Sequence, residues 1–216
     1  MSKPSQSRDR TTRTFVGRFL GVALAVAVLV IPQVALGQGA DWLTGLNGKH
    51  KQLFDTPAPG NGVALVHVLN YYDTYNSAFK VQDRDVNGVL TFYGTTTFHG
   101  LKDGMWAKYR LGEFLGEKDA KGVAYTANPW RSMPTVMGTA MAAASVESLQ
   151  KRGATFILCN NALTILSGMV AGARGLDAKT VYEDMKGNIL PGVKLVPAMV
   201  IAIEQAQKAG FTYLRQ

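Results

Sequence analysis

Apolar positions along the chain fall into short, separated runs, and their length and spacing set the expected elements. "VALVHVLN" (Val63 to Asn70) is brief and rich in β-branched residues, which predicts a strand buried on both faces. "YDTYNSAFK" follows as a short helix, and "VNGVLTFYG" (Val86 to Gly94) reads as a second strand. "KDGMWAKYRLGEFLGE" places Met105, Tyr109 and Leu111 to Phe114 at helical spacing, with Asp103 as the expected N-cap. Residues 117–134 carry no period. A helix is expected to resume by Val136 and to run to Gly153.

"ATFILC" predicts a third buried strand, followed at once by the helix "NALTILSGMVAGARG", apolar on nearly every side and stopped by Gly175. Within it, "GMVAG" (Gly168 to Gly172) suggests close backbone packing. Asp177 caps a further helix, "GVKLV" reads as a fourth strand, Pro197 opens a last helix, and "FTYLR" ends as an edge strand. Residues 38–60 are rich in Gly, Pro and Asn, and are expected to form an N-terminal arm over the surface. Strands alternating with helices over residues 61–216 predict an α/β fold. It is a three-layer, Rossmann-like sandwich around a mostly parallel sheet of about five strands.

The first 37 residues change the context. Arg8, Arg10, Arg13 and Arg18 precede the unbroken apolar run "FLGVALAVAVLVI" and then small residues, the order of a secretory signal peptide with cleavage expected near Gly37 or Gly39. The apolar run is shorter than the roughly 20 residues of a spanning helix. Export to the periplasm or cell envelope is expected, by either the general or the twin-arginine route, with no membrane attachment after cleavage. Of the 23 basic and 15 acidic side chains, five and one lie in residues 1–37, which leaves 18 against 14. The mature charge is scattered, with no basic stripe, so nucleic acid is not an expected partner.

A single cysteine, Cys159, cannot form an internal disulfide. It stands where "ATFILC" stops, either as the last buried strand position or as a chemically used thiol. If the next helix starts at Asn160 or Asn161, its free N–H groups favour the thiolate. Ligands of open parallel sheets bind beyond the carboxyl ends of the strands. On the predicted order, that edge collects Tyr72 and Asp73 after the first strand, Tyr93, Thr95 and His99 after the second, and Cys159, Asn160 and Asn161 after the third. His67, inside an apolar run, reads as a core histidine, and His50 lies in the arm. The three histidines lack metal-site spacing, and there is no haem-attachment motif or phosphate loop, so no metal or cofactor is expected.

"ATFILCNNAL", "GLDA" and "ILPGVKLVPAMVIAIEQAQKAGFTYLR" resemble the C-terminal half of the DsrE/DsrF-like family, and "YGTTTFHGLKDGMWAKY" resembles the middle of its exported relatives. The resemblance spans roughly residues 61 to 213. It implies a small α/β protein that assembles as a homo-oligomer, with Cys159 as a persulfide carrier or nucleophile exchanging sulfur with a thiol donor or acceptor. The sulfur-relay members are shorter and lack the insertion around residues 117–134. The alternative is a noncatalytic small-molecule-binding or assembly protein of the cell envelope whose cysteine is structural.

Overall fold

The computed structural model describes Met1 and residues 40–216. The expected signal peptide and its cleavage site lie outside the described residues. Among the described residues seven strands form: β1 (His50–Asp55), β2 (Val86–Phe92), β3 (Thr135–Val136), β4 (Thr139–Ala140), β5 (Thr155–Cys159), β6 (Lys194–Val196) and β7 (Thr212–Arg215). Seven α-helices accompany them there: α1 (Val63–Ser77), α2 (Asp103–Tyr109), α3 (Leu111–Leu115), α4 (Val146–Lys151), α5 (Asn160–Arg174), α6 (Ala178–Gly187) and α7 (Met199–Lys208). Five strands make one sheet in the order β6-β5-β2-β1-β7, every pair parallel. Helices flank it on both faces, the expected three-layer α/β sandwich.

Alternation along each strand splits the core in two. Phe54, Leu90, Phe92, Phe156 and Leu158 point toward α1 to α6, where Phe92 and Phe156 stack at 5.5 Å. Leu53, Val89, Ile157, Cys159 and Val196 point the other way, toward α7 and the segment around Trp42 and Leu43. Each such fully buried side chain contributes roughly 1.5–3 kcal/mol.

Five expectations are corrected. Residues 50–55 are not surface arm: β1 lies inside the sheet between β2 and β7, and His50 opens it, its ring tilted against that of Tyr75 at 4.2 Å. Residues 63–70 are not a strand: Ala64, Leu65, Val68 and Tyr72 are buried at helical spacing in α1. Its valines mimic a strand, but Gly62 at φ 75° turns the chain into the helix. His67 is consequently exposed on α1 rather than in the core, with Nδ1 2.5 Å from Gln216 Oε1.

The helix expected from Val136 is confined to α4, capped by Ser145. Before it, Met137 (φ 48°) and Gly138 (φ 80°) form the tight turn of the β3–β4 hairpin, since positive φ at both central residues suits a two-residue hairpin loop. Asp103 is not the N-cap of α2. It accepts from Asn128 N at 3.2 Å and from Arg131 Nη1 at 2.7 Å, tying α2 to the segment beyond it.

Candidate functional site: a strand-end pocket backed by a histidine–glutamate pair

Beyond the carboxyl ends of β1 and β2, the aperiodic segment from Gly116 onward folds back as a wall. Asp119 Oδ1 accepts from Lys121 N and Val123 N, each at 2.9 Å, which fixes a turn. The Asn128 amide donates to the carbonyls of His99 (2.8 Å) and Leu101 (2.7 Å), clamping the wall onto the loop that follows β2. At Gly112 in α3, a Cβ would lie 2.3 Å from the Tyr125 carbonyl oxygen, so only glycine permits this approach. The half-open cavity measures about 520 Å³ and is bordered by Pro59, Asn61, Glu117, Tyr125, Trp130 and Met137, among others.

His99 lies directly behind this wall. Its ring is fully buried, 4.2 Å from the ring of Trp130 and 5.2 Å from that of Trp106 (centroid to centroid). Nε2 sits 3.1 Å from Glu117 Oε2. An ionised carboxylate only accepts, so Nε2 carries the hydrogen. His99 Nδ1 and Glu117 Oε1 are both buried without a hydrogen-bond partner among the described residues. Such atoms cost roughly 1–3 kcal/mol each, so the pair is held at the border of the pocket against its own desolvation. Burial, then the charges of Asp119 and Glu117, push the Tyr125 hydroxyl above its ordinary range.

On the opposite face of the same sheet edge, alternation aligns a second set. Asp55, almost completely buried, accepts hydrogen bonds from the hydroxyls of Tyr213 (2.5 Å), Tyr93 (3.2 Å) and Thr91 (3.3 Å), with Arg215 Nη1 at 3.8 Å. Burial, followed by the bond to Asp55, raises the Tyr93 hydroxyl well above the usual phenol range. Phe92 pairs with Leu158, so Tyr93 follows β2 beside the level of Cys159. Cys159 is itself the N-cap of α5, as its position at the strand end implied. Its Sγ accepts from Ala162 N at 3.4 Å and also from Met199 N at 3.3 Å, at the start of α7. Two helix N-termini converge on one sulfur that is 5% exposed.

Of the residues singled out from sequence, His99, Tyr93, Thr95, Cys159, Asn160 and Asn161 do gather at the carboxyl edge. Thr95 ties its loop to the Pro57 carbonyl through its backbone N–H (3.0 Å) and its hydroxyl (3.2 Å). Asn160 accepts from the Tyr182 hydroxyl at 2.8 Å, and Asn161 is exposed. Tyr72 and Asp73 do not belong there, because they ride on α1 to the amino end of β2. Tyr72 is a core residue whose hydroxyl accepts from Gly88 N at 3.1 Å and is pushed up to about 12, chiefly by burial. Asp73 pairs with Arg152. Glu117, Tyr125 and Asp55 were not foreseen, whereas Trp130, as a loop aromatic, was open to either a core or a ligand-facing role. The one signal for the first two was the length of the aperiodic stretch itself, since long structureless loops in compact domains are usually functional.

Among the described residues no cluster of three or more His, Cys, Asp or Glu is placed to hold a metal ion. No helix there is long and apolar enough to cross a membrane. Compared with family models and with curated proteins, the chain matches none. Among solved structures it is similar to a protein of unknown function, MTH1491 from Methanobacterium thermoautotrophicum, at 17% identity over 77% of this chain and 99% of that one, with a TM-score of 0.37, a likeness too slight to carry any argument.

Proposed function

We propose that the protein binds a small molecule in the strand-end pocket between Pro59, Glu117, Tyr125 and Trp130, and does so outside the cytoplasm. The observation that carries this reading is a cavity of about 520 Å³ bordered by Glu117, which the buried His99 ring holds at 3.1 Å, together with Tyr125 and Trp130. Cavities of a few hundred Å³ with a few convergent polar groups are the usual form of small-molecule sites. The basic, apolar, small-residue order of the first 37 residues supports export. Self-assembly is supported by α5, whose outward positions include exposed Ile165 and Met169. Gly168 and Gly172 have nothing within 4 Å of a would-be Cβ, so the close packing expected of them is not made within the domain. A fragment screen followed by amide shifts should yield hits clustered on residues 117–120, 125 and 130. Hits scattered over the surface, or none at these positions, defeat the reading.

A second reading, sulfur handling through Cys159, is favoured by the two backbone N–H donors that the amino ends of α5 and α7 direct at Sγ. The resemblance to DsrE/DsrF-like proteins supports it, whereas the 5% exposure of Cys159 weighs against easy access. Native protein treated with iodoacetamide near neutral pH should be alkylated within minutes on this reading. Labelling that waits for unfolding rejects it and leaves the cysteine as a structural cap of α5.

A further inference from the structure

Three Asn-Gly steps occur in the chain: Asn47–Gly48, Asn61–Gly62 and Asn87–Gly88. Such a step is chemically weak, because glycine has no side chain to hinder its own nitrogen from closing onto the asparagine carboxamide. That closure needs the glycine N–H free of any acceptor. In the folded chain all three N–H groups are bonded and all three glycines are buried, so what holds each N–H decides its fate.

Gly88 N donates to the Tyr72 hydroxyl at 3.1 Å from within β2, and Asn87 itself is buried. Only unfolding of the sheet frees it. Gly48 N donates to Asn87 Oδ1 at 2.6 Å, a partner 39 positions away, and a Cβ on Gly48 would lie 2.8 Å from the Asp85 carbonyl. That contact is lost when β1 parts from β2, so one Asn-Gly step shields another. Gly62 N donates to the Pro59 carbonyl at 2.8 Å, inside the single turn that precedes α1. Asn61 is exposed and stands at φ 53°, a left-handed conformation that disfavours a residue with a side chain. Opening one turn requires far less free energy than opening a sheet.

We propose that Asn61 is a site of spontaneous deamidation in the folded protein, and that the fold keeps Asn47 and Asn87 intact. The Gly62 nitrogen passes its proton to solvent and bonds to Asn61 Cγ, and the side-chain nitrogen takes a proton from solvent and leaves as ammonia. Water opens the resulting ring at either carbonyl, to aspartate or isoaspartate. Both products place a carboxylate before the first turn of α1, where the unpaired N–H groups of the helix attract it. Isoaspartate also adds one carbon to the backbone ahead of Gly62, whose φ of 75° turns the chain into α1. Asn61 borders the strand-end pocket, so each event adds a negative charge to its rim, whatever the pocket holds.

The full chain is held in mildly alkaline buffer, either folded or in denaturant, and sampled over days by peptide mapping. Folded protein should convert Asn61 about tenfold or more faster than Asn47 and Asn87, as expected when one site opens locally and the others open with the sheet. In denaturant the three should convert at similar rates, each then being an unprotected Asn-Gly step. Isoaspartate at residue 61 identifies the ring route. Folded-state conversion of Asn47 or Asn87 as fast as that of Asn61 overturns the proposal. So does an Asn61 that keeps its amide in the folded chain, or a denatured chain in which none of the three reacts. Aspartate at residue 61 without isoaspartate overturns the ring route and the proposal with it.

Discussion

Replacing Asp55 by alanine is expected to lower the stability of the folded chain by about 2–4 kcal/mol, the range for removing one member of a buried charged network. Asp55 is 1% exposed and accepts from three hydroxyls, those of Thr91, Tyr93 and Tyr213. Alanine would leave Thr91, which is fully buried, with its hydroxyl unable to reach water, and would release both tyrosines. Thr91 Oγ1 also accepts from Thr56 N at 2.8 Å, so the disturbance would pass into the loop leaving β1. Asp55→Asn retains an acceptor oxygen and loses the charge, and should cost about half as much. Urea unfolding of the three proteins measures this directly. A loss below about 0.5 kcal/mol for Asp55→Ala, the size of an ordinary surface substitution, would show that the network carries little of the fold.

The second large effect is expected at Gly112. A Cβ there would sit 2.3 Å from the Tyr125 carbonyl oxygen and 2.6 Å from its nitrogen. Both are backbone atoms, which cannot rotate away, so the wall must move. Gly112→Ala should therefore destabilise by about 1–3 kcal/mol, the usual cost of overpacking. It should also abolish ligand binding in the pocket, because Tyr125 lines the cavity. Gly104→Ala is the matched control. It lies in the neighbouring helix with nothing within 4 Å of a would-be Cβ, and should stabilise by up to about 1 kcal/mol through helix propensity. Equal behaviour of the two variants would refute the close approach of α3 to the wall.

Much of the architecture was legible in the chain, and what was not has physical causes. β5 is an apolar run after Thr155, β2 is buried throughout and mostly apolar despite Asn87 and Thr91, and α5 and α6 carry clear stop and start residues in Gly175 and Asp177. β1 hides because its first half is polar. Lys51 lies over the Phe211 ring and donates to the Ala209 carbonyl, so a charged residue sits comfortably in a strand flanked on both sides. α1 misleads because a short run of valines and leucines has no decisive period of its own. At the site, the strand-end placement of Cys159 and His99 followed from local order. The partners did not. Met199 meets the sulfur from 40 positions away, and Asn128 reaches the His99 carbonyl across 29. Such contacts depend on how distant segments fold together, and nothing in local spacing encodes them.

The place of β7 in the sheet has a kinetic side. β1 emerges early in synthesis, yet β7, which covers its outer edge, follows every other strand of the sheet in sequence, with Thr212 donating to the Lys51 carbonyl across 161 positions. Closing so long a loop is slow compared with building α5 or α6, since contacts of high sequence separation retard folding. Until then a nascent chain with β1 and β2 already paired presents an open edge, a template for strands of other chains. Lys51 on that strand places a charge where a foreign strand would otherwise dock, so the same lysine that conceals β1 from sequence reading guards it while the chain is still being made.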